Sequence, residues 1–161
     1  LLHPLLPTPP GAHAWFEDAG VDRHLMAFQG YATLELTEYE RERLQTTFSS
    51  FAEGVAAAQD VGTEVILVFV SVKFRIYGGG CDPGPDSLCA DWTPWALDDA
   101  FMAGCEQSGL DCLDLTAPMQ EAAATGRLLY APEDSHWNEA GHAFVADVLL
   151  DEWQRRGLDV R

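Results

Sequence analysis

Apolar residues along the chain alternate between helical and strand-like spacing. Leu44, Phe48, Phe51, Val55 and Ala58 recur at steps of four and three, which puts them on one stripe of a helix. Thr37 and Glu40 have the spacing of a capping box, in which each side chain satisfies an orphan backbone N–H of the other. The helix is therefore predicted to open at Thr37 and to end at Gly62. Glu64–Phe74 is β-branched and nearly continuous in its apolar part, the pattern of a strand buried on both faces.

Gly78-Gly79-Gly80, Pro83 and Pro85 predict a loop through about Asp91. Thr93-Pro94 reads as N-cap and first position of a second helix, with Leu97, Phe101 and Cys105 on one face and Gly109 just past its end. Leu110–Leu115 reads as a short strand, Thr116–Gly126 as a brief helix, Arg127–Tyr130 as extended chain and Ala131–His136 as a loop. Asn138 is the candidate cap of the last helix, whose core stripe is Phe144, Val145, Val148 and Leu149. Arg155 and Arg156 fall in its final turn, favourable at the negative end of the helix dipole.

The alternation of helix and strand predicts an α/β domain with parallel strands. Only two strands are convincing, fewer than such a sheet needs. Residues 1–35, proline-rich and then punctuated by Gly11, Gly20 and Gly30, read as irregular, which leaves 36–161 as the domain and an incomplete one. The first residue is not Met, so the chain is expected to be a mature product or a piece of a longer polypeptide. There is no internal repeat and no low-complexity tract.

Composition narrows the function. The 161 residues carry 26 acidic and 9 basic side chains, a net charge of −17. Nucleic-acid binding needs clustered Lys and Arg to neutralise phosphates, and here there are eight Arg and the single Lys73, with no more than two adjacent. An anionic membrane surface is disfavoured for the same reason. The longest wholly apolar run is Val65–Val70, far short of the ~20 residues a membrane span requires. Leu1–Pro10 lacks the cationic start of a signal peptide.

Cys81, Cys89, Cys105 and Cys112 form no Cys-x-x-Cys pair, which argues against structural zinc. Their separations permit 81–89 and 105–112 disulfides, suited to an exported protein, although three pairings, or four free thiols, remain open.

The richest chemistry lies in Glu133-Asp134-Ser135-His136-Trp137-Asn138-Glu139-Ala140-Gly141-His142. A carboxylate two residues before a histidine, on a loop entering a helix, can accept the imidazole Nδ1–H and leave Nε2 as a general base. The bland alternative is that Asp134 caps the turn and His136 packs beneath it. Lys73 and Arg75 could meet an anionic substrate, but solvated or ion-paired bases are favoured on so acidic a chain. A metal site from Asp134, His136 and His142 matches no recognised ligand spacing, and no cofactor is expected. Gly78-Gly79-Gly80 precedes no helix that would cradle a phosphate.

Leu129-Tyr130-x-x-x-Asp134-x-His136-Trp137-Asn138-x-x-Gly141-His142 resembles the C-terminal catalytic block of the SGNH (GDSL-type) hydrolases. It is also similar to the Asp-x-His-Trp block of the related alginate O-acetyltransferase-like proteins. Val65–Val70 with Lys73 and Tyr77 resembles the family's strand ending in Pro-x-Lys and a Val-Tyr turn, with Ser71 where proline is frequent. Leu113-Asp114-Leu115-Thr116 resembles the strand before the last two helices. The resemblance spans roughly residues 37–157, and it implies a partial flavodoxin-like, three-layer α/β/α fold with a parallel sheet.

It also implies that Asp134 and His136 are two members of a Ser-His-Asp triad, with Glu133 in reserve as the acid. Asn138, Gly141 and His142 would be structural, and Trp137 either walls the site or packs in the core. The family's Gly-Asp-Ser block is absent. Asp86-Ser87 follows Pro85 in a loop, Ser135 lies between acid and base, and Ser49, Ser50 and Ser108 sit on helices. Ser71 is the least unsuitable local nucleophile. The missing strands and the missing serine together imply part of an SGNH-like domain whose remainder is encoded elsewhere.

The expected function is that of a serine esterase or O-acetyltransferase acting on an acylated, carbohydrate-type substrate, in an extracellular or periplasmic setting. The rival expectation is a non-catalytic SGNH-like module that binds glycan or protein.

Overall fold

Two short parallel strands, β3 (Leu67–Phe69) and β4 (Cys112–Asp114), divide the molecule into two sides. The computed structural model describes residues 12–20, 22–28, 36–85, 87–90 and 92–157. Leu67 pairs with Cys112, Val68 with Leu113, and Phe69 with Asp114. Because side chains alternate across a strand, Leu67, Phe69 and Cys112 face one layer while Val68 and Leu113 face the other.

The first layer is α1 (Glu38–Gln59) and α3 (Leu97–Ser108). The Thr37–Glu40 capping box forms as the spacing predicted, each partner bonding the other's backbone N–H. Phe101 of α3 stacks between Phe48 of α1 and Phe69 of β3, with ring centroids 5.6 and 5.2 Å apart. Cys105 of α3 is disulfide-bonded to Cys112 of β4. α3 begins at Leu97 and not at Thr93-Pro94. Arg75 takes the Trp95 carbonyl and the Asp98 carboxylate, holding the preceding residues in a turn, and Asp98 and Asp99 then supply negative charge to the helix's first turn. Gly109, at φ +64°, ends it.

The second layer holds the main core. It comprises α2 (Lys73–Tyr77), α4 (Thr116–Ala124), α5 (Glu139–Arg155) and an antiparallel hairpin of β1 (His13–Glu17) and β2 (Arg23–Ala27). The hairpin corrects the irregular reading of residues 1–35. Its alternation lasts only five residues per strand, too short to stand out. The turn is fixed by Asp18, whose carboxylate accepts from Gly20 N, Asp22 N and His24 Nε2. Ala14, Phe16 and Met26 point inward, with Phe28 beyond the strand end. Phe16 and Phe28 meet Tyr77 and Phe74 edge to face at 4.8 and 5.1 Å. The proline-rich opening Leu1–Pro10 and the glycines Gly11 and Gly30 lie outside the described residues.

The predicted strand Glu64–Phe74 is also corrected, since only Leu67–Phe69 is strand and Lys73–Tyr77 is a helical turn. Lys73, Phe74, Ile76 and Tyr77 are all buried, so the five-residue turn is buried nearly all round and shows no amphipathic period. In α5, Asn138 caps as predicted by accepting Gly141 N at 2.9 Å. Phe144, Val145 and Val148 reach the core, whereas Leu149 is exposed. No helix among the described residues is long and apolar enough to cross a membrane.

Candidate active site

Asp134 and His136 project from the loop that joins an extended stretch, Leu128–Ala131, to the α5 cap. Tyr130 and Trp137 bridge across the base of this loop, with Ala131 N donating to the His136 carbonyl at 3.0 Å and Asn138 N to the Leu129 carbonyl at 3.0 Å. Asn138 Nδ2 also donates to the Leu128 carbonyl. Gly141 lies so close beneath that a Cβ there would sit 2.0 Å from the Leu129 oxygen, which explains the glycine. The loop therefore enters and leaves through a fixed neck.

Asp134 Oδ1 accepts the backbone N–H of His136 at 2.7 Å and stands 3.5 Å from His136 Nδ1. Both expected roles are thus combined, because the carboxylate caps the turn and also faces the imidazole. The His136 N–H, then the His136 ring and Lys73, hold the Asp134 carboxyl below its ordinary range. It is an anion at neutral pH, as an orienting acid must be. The His136 side chain is 84 % exposed and that of Asp134 48 %; His136 does not pack beneath the turn. At 3.5 Å the pair is looser than a good hydrogen bond, a common state for catalytic pairs before substrate closes the site. Glu133, the reserve acid, is exposed.

Beside the pair is a cavity of about 340 Å³ lined by Val70, Ser71, Val72, Tyr130, Ser135, His136, Trp137 and His142. Trp137 and His142 form an edge-to-face pair at 5.4 Å on its wall. Trp137 thus both walls the cavity and packs against the core, and His142 joins the wall besides opening a helix. The β3 carboxyl end supplies the opposite side, where ligands of open parallel sheets gather.

Ser71 reaches this cavity, but its hydroxyl is engaged elsewhere. Thr116 Oγ1 donates to Asp114 Oδ1 at 2.6 Å, so the 2.5 Å contact between the two hydroxyls is donated by Ser71. The Ser71 proton is thus given to Thr116, in a chain of bonds that ends on Asp114, and Ser71 is 2 % exposed. Among the described residues no serine hydroxyl bonds the His136 ring. Ser87 is buried in the turn that holds the hairpin, donating to the His13 carbonyl, and Asp86 before it lies outside the described residues. Ser49 and Ser50 bond carbonyls one turn back on α1. Among the described residues no group of three or more His, Cys, Asp and Glu could hold a metal.

The loop is fastened from inside the fold, by groups that no local pattern marks. Lys73, read as a solvated or paired base, is 1 % exposed, and its Nζ donates to the carbonyls of Ala131, Pro132 and Asp134. Burial pushes its pKa down to about 8, partly offset by the charges of Asp134 and Glu133. Tyr130 Oη donates to the Ser71 carbonyl at 2.5 Å. Tyr77 Oη donates to the Arg127 carbonyl and accepts Leu129 N, both at 2.7 Å. The signal for Lys73 was its singularity in a chain whose other cations are all Arg. Arg75 is ion-paired to Asp98 at 2.8 Å, as the bland reading expected.

A parallel strand pair between helical layers, with an acid–histidine loop at the strands' carboxyl end, defines an α/β domain of the SGNH hydrolase class. The family model described as the SGNH hydrolase-like domain of acetyltransferase AlgX matches residues 28–160, and the chain belongs to that family. The probable alginate O-acetylase AlgJ of Pseudomonas putida is 31% identical over 101 residues, 62% of this chain and 25% of that protein. The solved O-acetyltransferase domain of Pseudomonas putida AlgJ shares the fold with a TM-score of 0.65 at 21% identity, over 93% of this chain and 50% of that one. The chain thus spans about a quarter of the curated relative and half of the solved domain.

Proposed function

We propose that this chain contributes the acid–histidine half of an acyl-transfer site that moves acetyl groups onto hydroxyls of an alginate-like polysaccharide. The observation that carries the reading is the Asp134–His136 pair at the mouth of a cavity, in a chain of this family. His136 would take the proton of a serine hydroxyl as the oxygen attacks the acetyl carbonyl, and Asp134 would hold the resulting imidazolium. Collapse of the tetrahedral intermediate returns that proton to the departing oxygen and leaves an acetyl-serine. A sugar hydroxyl then attacks the acetyl-serine with His136 again as base, giving the sugar acetate and the free serine.

The serine would be supplied from outside this chain; what supports this is that Ser71, the least unsuitable local candidate, gives its hydroxyl proton to Thr116. An extracellular or periplasmic location belongs to the same proposal, and the Cys105–Cys112 disulfide supports it, because such bonds persist in oxidising compartments. In the full-length protein, His136→Ala is expected to lower turnover of an aryl acetate by about three orders of magnitude or more. Wild-type turnover in that variant would end the proposal.

The second reading is a non-catalytic SGNH-like module that binds glycan or a partner protein. What favours it is that, among the described residues, the His136 ring meets no serine hydroxyl. It predicts no covalent labelling of the full-length protein by a fluorophosphonate. A labelled serine whose labelling is lost in His136→Ala would reject it.

A further inference from the structure

Lys73 is the chain's single lysine, and it lies inside the protein. An ammonium has three N–H donors and no acceptor, and here all three find main-chain carbonyls of one loop. Nζ lies 2.9 Å from the Ala131 oxygen, 3.0 Å from that of Pro132 and 2.5 Å from that of Asp134. The face of Phe28 is 5.8 Å away, on the hairpin side. The charges it feels are those of Asp134 and Glu133 on the loop; the Cys81 thiol nearby is neutral where Lys73 titrates, since burial pushes its own pKa up to about 12. Among the described residues no carboxylate forms a salt bridge with it, so its hydrogen bonds are spent on shaping backbone.

That shape leads directly to the candidate pair. Three carbonyls turned towards one point force residues 131–134 into a tight arc. The last of them belongs to Asp134, whose carboxylate then accepts His136 N. We propose that Lys73 is the positioning residue of the Asp134–His136 pair: its ammonium gathers the carbonyls of Ala131, Pro132 and Asp134 and so sets the turn from which both side chains project. The catalytic meaning of this role rests on the acyl-transfer reading, whereas its geometry does not.

A purely stabilising lysine would behave differently. Burying an ammonium costs stability, and burial does hold this pKa down at about 8. Lys73→Met removes that cost. The carbonyl of Pro132 keeps the N–H of Ala27, but the inward carbonyls of Ala131 and Asp134 are stranded, each too expensive to leave unpaired. The cheapest response is for the loop to turn them to water. The global fold then survives while the Asp134–His136 turn is lost.

The test uses the whole chain labelled with ¹⁵Nζ-lysine, which yields one side-chain signal. A slowly exchanging ammonium with couplings across hydrogen bonds to the carbonyl carbons of residues 131, 132 and 134 is expected. Backbone amide shifts of Ala131 and His136 should titrate with the midpoint of that signal, near pH 8. In Lys73→Met, hydrogen exchange at the amides of Ala131, His136 and Asn138 should accelerate by about tenfold or more, with the α1 and α5 amides unmoved. A fast-exchanging ammonium without those couplings, or loop amides that ignore its titration, would overturn the proposal even if the variant failed to fold. So would a folded Lys73→Met with unchanged loop exchange. None of these readouts involves acyl transfer, so failure here is distinct from an active His136→Ala.

Discussion

The two faces of the β3–β4 pair are built differently. On the α1–α3 side, Phe48 is the only buried residue of the 22-residue α1, and the layer is held by the Phe48–Phe101–Phe69 stack and one disulfide. On the other side, the hairpin, α2, α4, α5 and the 127–138 loop share a continuous core. That core is crossed by buried polar bonds from Tyr77, Tyr130 and Lys73 to backbone. Aromatic stacking tolerates small slips, whereas directional bonds to specific carbonyls do not. The candidate pair rises from the side where position is held by directional bonds, as a site requiring sub-ångström placement needs.

Two glycines test this contrast. At Gly141 a Cβ would meet the Leu129 carbonyl oxygen at 2.0 Å, a backbone atom tied to Asn138 N. Gly141→Ala is expected to destabilise the fold by about 3 kcal/mol or more and to displace Trp137 and the loop. Denaturant midpoints together with the His136 ring signals would check it, and a loss below about 1 kcal/mol would mean that the neck is softer than its bonds suggest. At Gly104 a Cβ would meet the Phe48 ring at 2.2 Å, the far end of a side chain that can tilt. Gly104→Ala should cost less, about 1–2 kcal/mol, and leave the loop spectrum unchanged. Equal losses at the two positions would erase the contrast.

Per pH unit, the smallest effect is electrostatic. Lys73 has a folded pKa of about 8 against an ordinary 10.5, so between those values the unfolded chain binds more protons and stability rises with pH. The gain is lost as pH falls through about 8. Cys81 and Tyr77, both pushed up to about 12 by burial, act oppositely: above their ordinary 9.0 and 10.0 the unfolded chain releases protons that the folded one keeps. The difference between wild type and Lys73→Met isolates the lysine. Wild type should gain up to about 1 kcal/mol per pH unit relative to the variant from pH 8 upward, read from urea unfolding. Parallel pH curves would show that the lysine is not buried as an ammonium.

Much of this organisation was legible in the residues. The Thr37 capping box, the Asn138 cap, the glycine Gly109 that ends α3 and two parallel strands, shorter than the expected Glu64–Phe74 and Leu110–Leu115, all rest on local patterns that the fold leaves intact. The Cys105–Cys112 pairing was among the possibilities, while Cys81 and Cys89 are free thiols. The hairpin escaped because a five-residue alternation is too short to stand out, and its partner in packing, α2, is a five-residue turn that follows directly on the strand-like run and shows too little of a helical period. Asp134 and His136 stand out as a candidate pair because the pattern that marks them lies within three consecutive residues.

The sequence by itself determined the order α1, β3, α3, β4, α4 and α5 and the acid–histidine motif, since both depend on neighbours within a turn or two along the chain. Only the tertiary structure decided which way the Ser71 proton points and what the one lysine does. Ser71 meets Thr116 45 residues away, and Lys73 reaches carbonyls 58 to 61 residues further on. No local pattern encodes which distant carbonyls will converge on a buried ammonium. That convergence is set by how α2 and the loop pack against the same core.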